Sequence, residues 1–302
     1  MRTPYLPFAA LVVLLAAVVA LQVGRERLAP LPLPRDAGAV IYVQSPDVVR
    51  RAALSFDALA ADLYWIRAIQ HYGGTKRSAD PHASYAQLYP LLDLTTSLDP
   101  RFNVAFRFGA IFLSEPAPNG PGRPDLAIAL LEKGMKAQPQ RWEYAQDIGF
   151  VHYWWRRDYR TAAEWFVRGA DMGGPDWLRQ LAAVTLARGG NRASSRRLWQ
   201  EVLAGADEDW LLRMARERLL QLDALDQIDG LRRLAIDYER RMQRPLQSWT
   251  QLQQAGYLRG VPRDPEGVPY LLDGARGVIT LAPDSPLNPL PVEPPPFEQV
   301  PR

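Results

Sequence analysis

The chain of 302 residues contains no cysteine and only three histidines. Without cysteine there is no disulfide, no thiolate metal site, no cysteine nucleophile and no lipid attachment at a mature N-terminal cysteine. The histidines, His71, His82 and His152, stand in no metal-binding spacing such as HExxH. The chain also lacks a GxSxG elbow, a Walker loop and a GxGxxG turn after a strand. We therefore expect that the chain is not an enzyme and that it binds no metal, cofactor or small-molecule substrate.

Long runs of charge of one sign are also missing. The chain has 36 basic and 33 acidic residues, a net charge of +3, and the basic residues are interleaved with the acidic ones. Binding to nucleic acid needs a basic patch or stripe, which this pattern does not supply. Nucleic acid is therefore not expected as a partner.

One uncharged apolar stretch, Pro7 to Val23, lies between Arg2 and Arg25. It is just long enough for a membrane-spanning helix of about 17–25 residues. A cleaved signal peptide, with Val18-Val19-Ala20 as its cleavage site, is the alternative, and a buried core helix is a third. We expect residues 1–27 to anchor the chain in the inner membrane of a bacterial envelope, with the remainder in the periplasm. If the segment is cleaved, the chain is secreted to the periplasm. Residues 28–54 form a proline-rich linker with a short β-prone stretch, Ala39 to Val43.

Residues 55–242 carry a repeated helical pattern. Small residues recur at the same spacing on two successive helix pairs, which lets the helices approach closely, and large apolar residues fill the groove between them. The first copy reads Ala105-x3-Gly109-x2-Phe112 and Ala127-x3-Leu131-x2-Gly134-x4-Pro139, and the second reads Ala145-x3-Gly149-x2-His152 and Ala162-x3-Phe166-x2-Gly169.

This spacing resembles the tetratricopeptide repeat (TPR), whose helical hairpins stack because one alone does not bury its apolar face. The resemblance implies a mainly α fold, a right-handed solenoid. We place further units on either side of the two copies. In the first, a helix ends at Gly73-Gly74 and a second, His82 to Ser97, is kinked by Pro90. The last is a capping hairpin of Asp209–Leu222 and Gln227–Met242. Residues 114–124, rich in proline, form an insertion.

The resemblance also implies where a partner binds. In TPR proteins the first helix of each pair lines the concave surface, where exposed aromatic residues are typical anchors for a peptide or helix. By that register the groove residues are Phe106, Ala110, Gln146, Phe150 and Tyr153, with Trp154 at the edge. A core position is the alternative for each of them. His152 is expected to pack between helices.

Residues 243–282 form a small C-terminal module, with a helix at Ser248–Ala255 and a hairpin of Val268–Leu272 with Val278–Leu281. Its segment Gly256 to Tyr270 resembles the C-terminal part of type II secretion and type IV pseudopilins, although the prepilin cleavage motif is absent. Such loops sometimes bind calcium, for which Asp264, Glu266 and Asp273 are candidates; turn formation is the alternative. The proline-rich tail, residues 283–302, is expected to be disordered.

Together these features predict a membrane-anchored envelope scaffold or adaptor that binds partner proteins in its concave groove. The pseudopilin resemblance suggests assembly of a pilus, secretion or transport machine. The alternatives are an adaptor for envelope polysaccharide or lipid export, and a hydrolase whose site has no recognisable motif.

Overall fold

The computed structural model describes residues 13–21, 23–24, 45–80 and 82–293. The packing divides the chain into two units, the first ending at Phe56 and the second beginning at Asp57. In the first unit, residues 13–21 and 23–24 are helical, and helix α1 spans Pro46–Ala53. None of the helices described is both long and apolar enough to cross a membrane. The described residues do not include residues 1–12 of the predicted anchor. They also do not include residues 25–44, which hold most of the predicted linker and its β-prone stretch.

The second unit is mainly helical, and consecutive helices pack against each other, as the repeat pattern predicts. Its helices are α2 (Asp57–Arg77), α3 (Leu88–Leu98), α4 (Asn103–Ser114), α5 (Pro124–Ala137), α6 (Trp142–Val151), α7 (Tyr159–Asp171), α8 (Trp177–Arg188), α9 (Arg192–Gly205), α10 (Asp209–Met242) and α11 (Trp249–Gln254). A π-helix, His152–Arg156, continues α6, and strands β1 (Leu271–Asp273) and β2 (Val278–Thr280) follow α11.

Small residues do bring paired helices together. A Cβ added at Gly109 of α4 would lie 2.9 Å from Leu92 Cδ2 on α3 and 3.0 Å from Leu130 Cδ2 on α5. A Cβ added at Gly149 would lie 2.5 Å from Phe166 Cε1 on α7. Because van der Waals contact needs more room than this, larger residues at both positions would push the helices apart.

Three helix boundaries differ from the prediction. Helix α2 continues through Gly73 and Gly74 to Arg77. Helix α3 begins only at Leu88, which places Pro90 in its first turn, where a backbone N–H has no intrahelical partner and a proline causes no kink. The predicted capping hairpin is one continuous helix, α10, since residues 223–226 (DALD) contain neither glycine nor proline.

The C-terminal module has the predicted helix and hairpin, with shorter strands. Strands β1 and β2 pair antiparallel, with Leu271 opposite Thr280. Trp249 of α11 and Ile279 of β2 are buried against the Ile228 region of α10, and the Trp249 indole N–H donates to the Tyr270 carbonyl at 3.0 Å. The hairpin therefore packs against α10.

The tail is not disordered over residues 283–293, contrary to the prediction. Leu287 is buried, and the Gln221 side chain donates to the carbonyls of Leu287 (2.9 Å) and Pro289 (3.2 Å). The Arg192 guanidinium also holds Glu293, with an Nε–Oε1 distance of 2.7 Å. These polar contacts fix a segment whose proline content alone suggested an extended chain. Residues 294–302 lie outside the described residues.

Candidate partner-binding surface

The first helices of the pairs lie side by side. Tyr72 of α2 stacks on Phe112 of α4, with ring centroids 4.3 Å apart. Arg107 of α4 binds Asp147 of α6 through both carboxylate oxygens, at 2.5 and 3.0 Å. The second helices are joined in the same way, since Lys133 Nζ of α5 lies 2.7 Å from Asp93 Oδ1 of α3. Helices α2, α4 and α6 thus form one layer, and α3 and α5 form a second.

An apolar stripe runs along α4 on the side opposite its core residues. Val104, Phe108 and Ile111 are 48%, 51% and 53% exposed, whereas Ala105 and Leu113 are buried. The spacing i, i+4 and i+7 places the three exposed residues on one side of the helix.

Helix α2 carries a matching stripe. Leu59, Leu63 and Ile66 are exposed at the same helical spacing, while Ala61 and Ala68 are buried. The rings of Tyr72 and Phe112 fill the space between the two helices. We call these six residues the apolar face: Leu59, Leu63, Ile66, Val104, Phe108 and Ile111.

The next first helix, α6, differs because it presents charge. Burial raises the pKa of the Asp147 carboxyl, against the effect of its hydrogen bond from Arg107, and the Glu143 carboxylate raises it further. Glu143 itself pairs with Arg141 at 3.3 Å. Each carboxylate therefore has an arginine partner, and the Arg107 pair joins α4 to α6.

Aromatic residues reappear on the π-helix that follows α6. Trp154 is 60% exposed and Trp155 is also exposed. Tyr153 packs against Trp154 and Tyr159, with centroid distances of 4.9 and 5.4 Å, and its hydroxyl accepts a hydrogen bond from Arg188 at 2.7 Å. A π-helix turn is rare and often lies at a functional site, and here it carries two exposed indoles.

The predicted groove residues divide into three groups. Phe106 and Ala110 are buried, so the prediction that they face a groove is wrong. The reason is that α4 contacts α3, α5 and α6 and so buries a wide sector, which includes these two positions. Gln146, Phe150 and Tyr153 are half-buried, and Phe150 packs edge-on against Phe166 at 5.1 Å. Trp154 is exposed as expected, and the binding roles remain predictions.

The residues of the apolar face that the sequence reasoning missed lie on α4. Val104, Phe108 and Ile111 form a second apolar stripe beside the core stripe of α4. The spacing of these residues was the available signal, because a helix with two apolar sides either is buried all round or exposes one of them.

His152 is buried between helices, as expected, with its Nδ1 3.8 Å from Asp158 Oδ2. Burial lowers its pKa, and Arg156 lowers it further. This carboxylate, Asp158, caps the start of α7, so it does not belong to the helix that precedes His152.

The acidic residues of the C-terminal module form turns. Asp264 Oδ1 accepts from the backbone N–H groups of Glu266 (3.0 Å) and Val268 (2.8 Å), and Oδ2 accepts from Ser285 Oγ at 2.5 Å. Asp273 Oδ1 accepts from two N–H groups of its own hairpin loop. Within the described ranges, no group of three or more His, Asp or Glu side chains is arranged to hold a metal ion.

Comparison with protein-family models, with curated proteins and with solved structures finds no match to this chain.

Proposed function

We propose that this chain is a scaffold or adaptor that binds a partner protein through the apolar face, as part of a TPR-like right-handed solenoid. An amphipathic helix or an extended peptide of the partner lies across α2 and α4. Six large apolar side chains on two adjacent helices, all on the side away from the core, carry the proposal. Groups of large apolar side chains that stay exposed to water in a soluble protein typically mark an interaction site.

The indoles of Trp154, Trp155 and Trp177 are also exposed. Tryptophan is enriched among the residues that dominate binding energy at interfaces. On α6, the carboxylates of Glu143 and Asp147 are already paired with Arg141 and Arg107.

We place this scaffold in the bacterial envelope, anchored by residues 1–27 with the repeats in the periplasm. The apolar run from Pro7 to Val23 supports this, and the pseudopilin-like segment supports a pilus, secretion or transport machine. Cell fractionation tests the anchor: the full-length chain should stay with membranes after a carbonate wash. Release into the periplasm as a shorter product would show that the segment is cleaved.

The binding role is tested by co-purification from cells treated with a chemical crosslinker. Phe108→Asp and Ile111→Asp should lower recovery of the bound partner by about tenfold or more, because anchors of this kind contribute at least 1–2 kcal/mol each. Ala129→Asp adds the same charge at an exposed position of α5, on the other layer, and should leave recovery unchanged. Equal recovery with all three variants would refute the proposal.

A further inference from the structure

A cavity of about 460 Å³ lies between α10 and the C-terminal module. Its floor is formed by Leu231, Leu234, Pro262 and the Tyr270 ring, of which Leu231 and Tyr270 are buried. The volume falls within the range of about 300–1,000 Å³ that small-molecule pockets occupy. An apolar floor of this size favours a ligand with a hydrocarbon portion.

The rim of this cavity is cationic. Arg233 from α10 and Arg263 from the module line it, and no acidic residue does. Arg263 Nη1 donates to the Gly267 carbonyl at 2.6 Å and has no carboxylate partner among the described residues. Arg233 makes no hydrogen bond or ion pair within the same part of the chain. Two guanidinium groups without counterions therefore flank an apolar floor, and planar guanidinium groups favour carboxylate and phosphate.

Gly230 keeps the floor open. It lies inside α10, where glycine is a poorer helix former than alanine. A Cβ added there would meet only Arg233 Nη2, at 3.9 Å, so no neighbouring element requires a glycine at this position. The missing side chain instead leaves free space next to the Arg233 side chain.

We infer that this cavity binds an amphipathic anion, a carboxylate or phosphate carried on an unbranched alkyl chain. The anionic head accepts hydrogen bonds from Arg233 and Arg263. The alkyl chain covers Leu231, Leu234 and the Tyr270 ring, which removes apolar surface from water. This site is separate from the apolar face and does not depend on the proposed partner.

The test is isothermal titration calorimetry of the full-length chain, held in phosphatidylcholine nanodiscs with empty nanodiscs as the blank, with four probes of equal chain length. Decanoate and decyl phosphate should bind saturably, and their relative affinities distinguish a fatty acid from a phosphate headgroup as the source. Decanol and decyltrimethylammonium should bind at least about tenfold more weakly, because neither offers an anionic acceptor to pair with the guanidinium groups. Absence of binding by both anions, or equal binding by decanol, would overturn the inference.

Variants locate the site. Arg233→Gln and Arg263→Gln should each weaken decanoate binding by about tenfold, the loss expected for one charge-assisted contact. Gly230→Leu fills the floor and should abolish binding, while its better helix propensity preserves thermal stability. Arg232→Gln is the matched control, since Arg232 pairs with Asp229 at 3.2 Å and does not line the cavity. Unchanged affinity in both Arg233→Gln and Arg263→Gln would place the ligand elsewhere.

Discussion

The C-terminal module and the first helix pairs differ in how far their large apolar side chains are buried. In the module, Trp249, Ile279 and Leu281 are buried against α10. On α2 and α4, large side chains such as Leu63 and Phe108 stay about half exposed, although α4 also buries a full core side. Exposed large apolar side chains therefore recur at regular helical spacing on α2 and α4, whereas in the module they are single residues such as Leu271 and Val278. An apolar surface that the described part of the chain leaves uncovered is a candidate site for another protein.

The comparison first predicts a large difference between two phenylalanines. Phe166 is fully buried in the core of the α6–α7 pair, whereas Phe108 lies on the apolar face. Phe166→Ala should lower the free energy of unfolding by about 3–5 kcal/mol. Phe108→Ala should change it by less than about 0.5 kcal/mol, as at other exposed positions. Chemical denaturation of the two variants measures both, and similar losses would show that the apolar face belongs to a core.

The ordered tail gives the next largest effect. Gln221→Leu removes the side chain that donates to the carbonyls of Leu287 and Pro289. Leaving these acceptors without a donor should cost about 1–3 kcal/mol. Limited proteolysis should then cut the variant near residues 283–293 faster than the wild type, with Arg197→Gln as an exposed control. Equal cleavage rates would mean that Gln221 does not fix the tail.

Protonation of buried histidines gives an effect of moderate size. Burial lowers the pKa of both His71 and His152 in the folded chain. Their stabilising contribution is therefore complete above the ordinary histidine pKa of about 6.5 and falls as pH decreases towards the folded-state pKa. The free energy of unfolding should decrease between about pH 7.5 and pH 5.5, and the double variant His71→Gln, His152→Gln should show a shallower decrease. Identical pH profiles would contradict this account.

The smallest effect concerns the continuity of α2. Gly74 lies within the helix, and a Cβ added there meets no atom within 4 Å. Gly74→Ala should therefore stabilise the chain by about 0.5–1 kcal/mol. If the helix ended at the glycine pair instead, the substitution would be neutral or destabilising, and a thermal melt distinguishes the two.

The sequence predicts the helix pairs well, because small residues at regular helical spacing indicate where two helices approach closely. Gly109 and Gly149 stand where helices touch, as the pattern requires. The C-terminal helix and hairpin also follow from local turn signals, of which the glycines that flank the hairpin loop, Gly274 and Gly277, are the clearest.

The orientation of each helix is harder to predict. Phe106 and Phe108 differ by two positions on α4, yet one is buried and the other exposed. The difference depends on how many neighbouring helices contact α4, which a single helix sequence does not encode. The ordered part of the tail escaped prediction for a similar reason, since Arg192 and Gln221 are distant in sequence from the segment that they hold.

Site-specific photocrosslinking in intact cells tests the central claim most directly. A photoreactive residue is placed at Phe108 or Trp154 on the proposed surface, and at Glu132 on the exposed side of the second-helix layer. The account predicts one discrete crosslinked product of the same mass from Phe108 and Trp154, and none from Glu132. Products from Glu132 alone, or no product from either surface position, would contradict it.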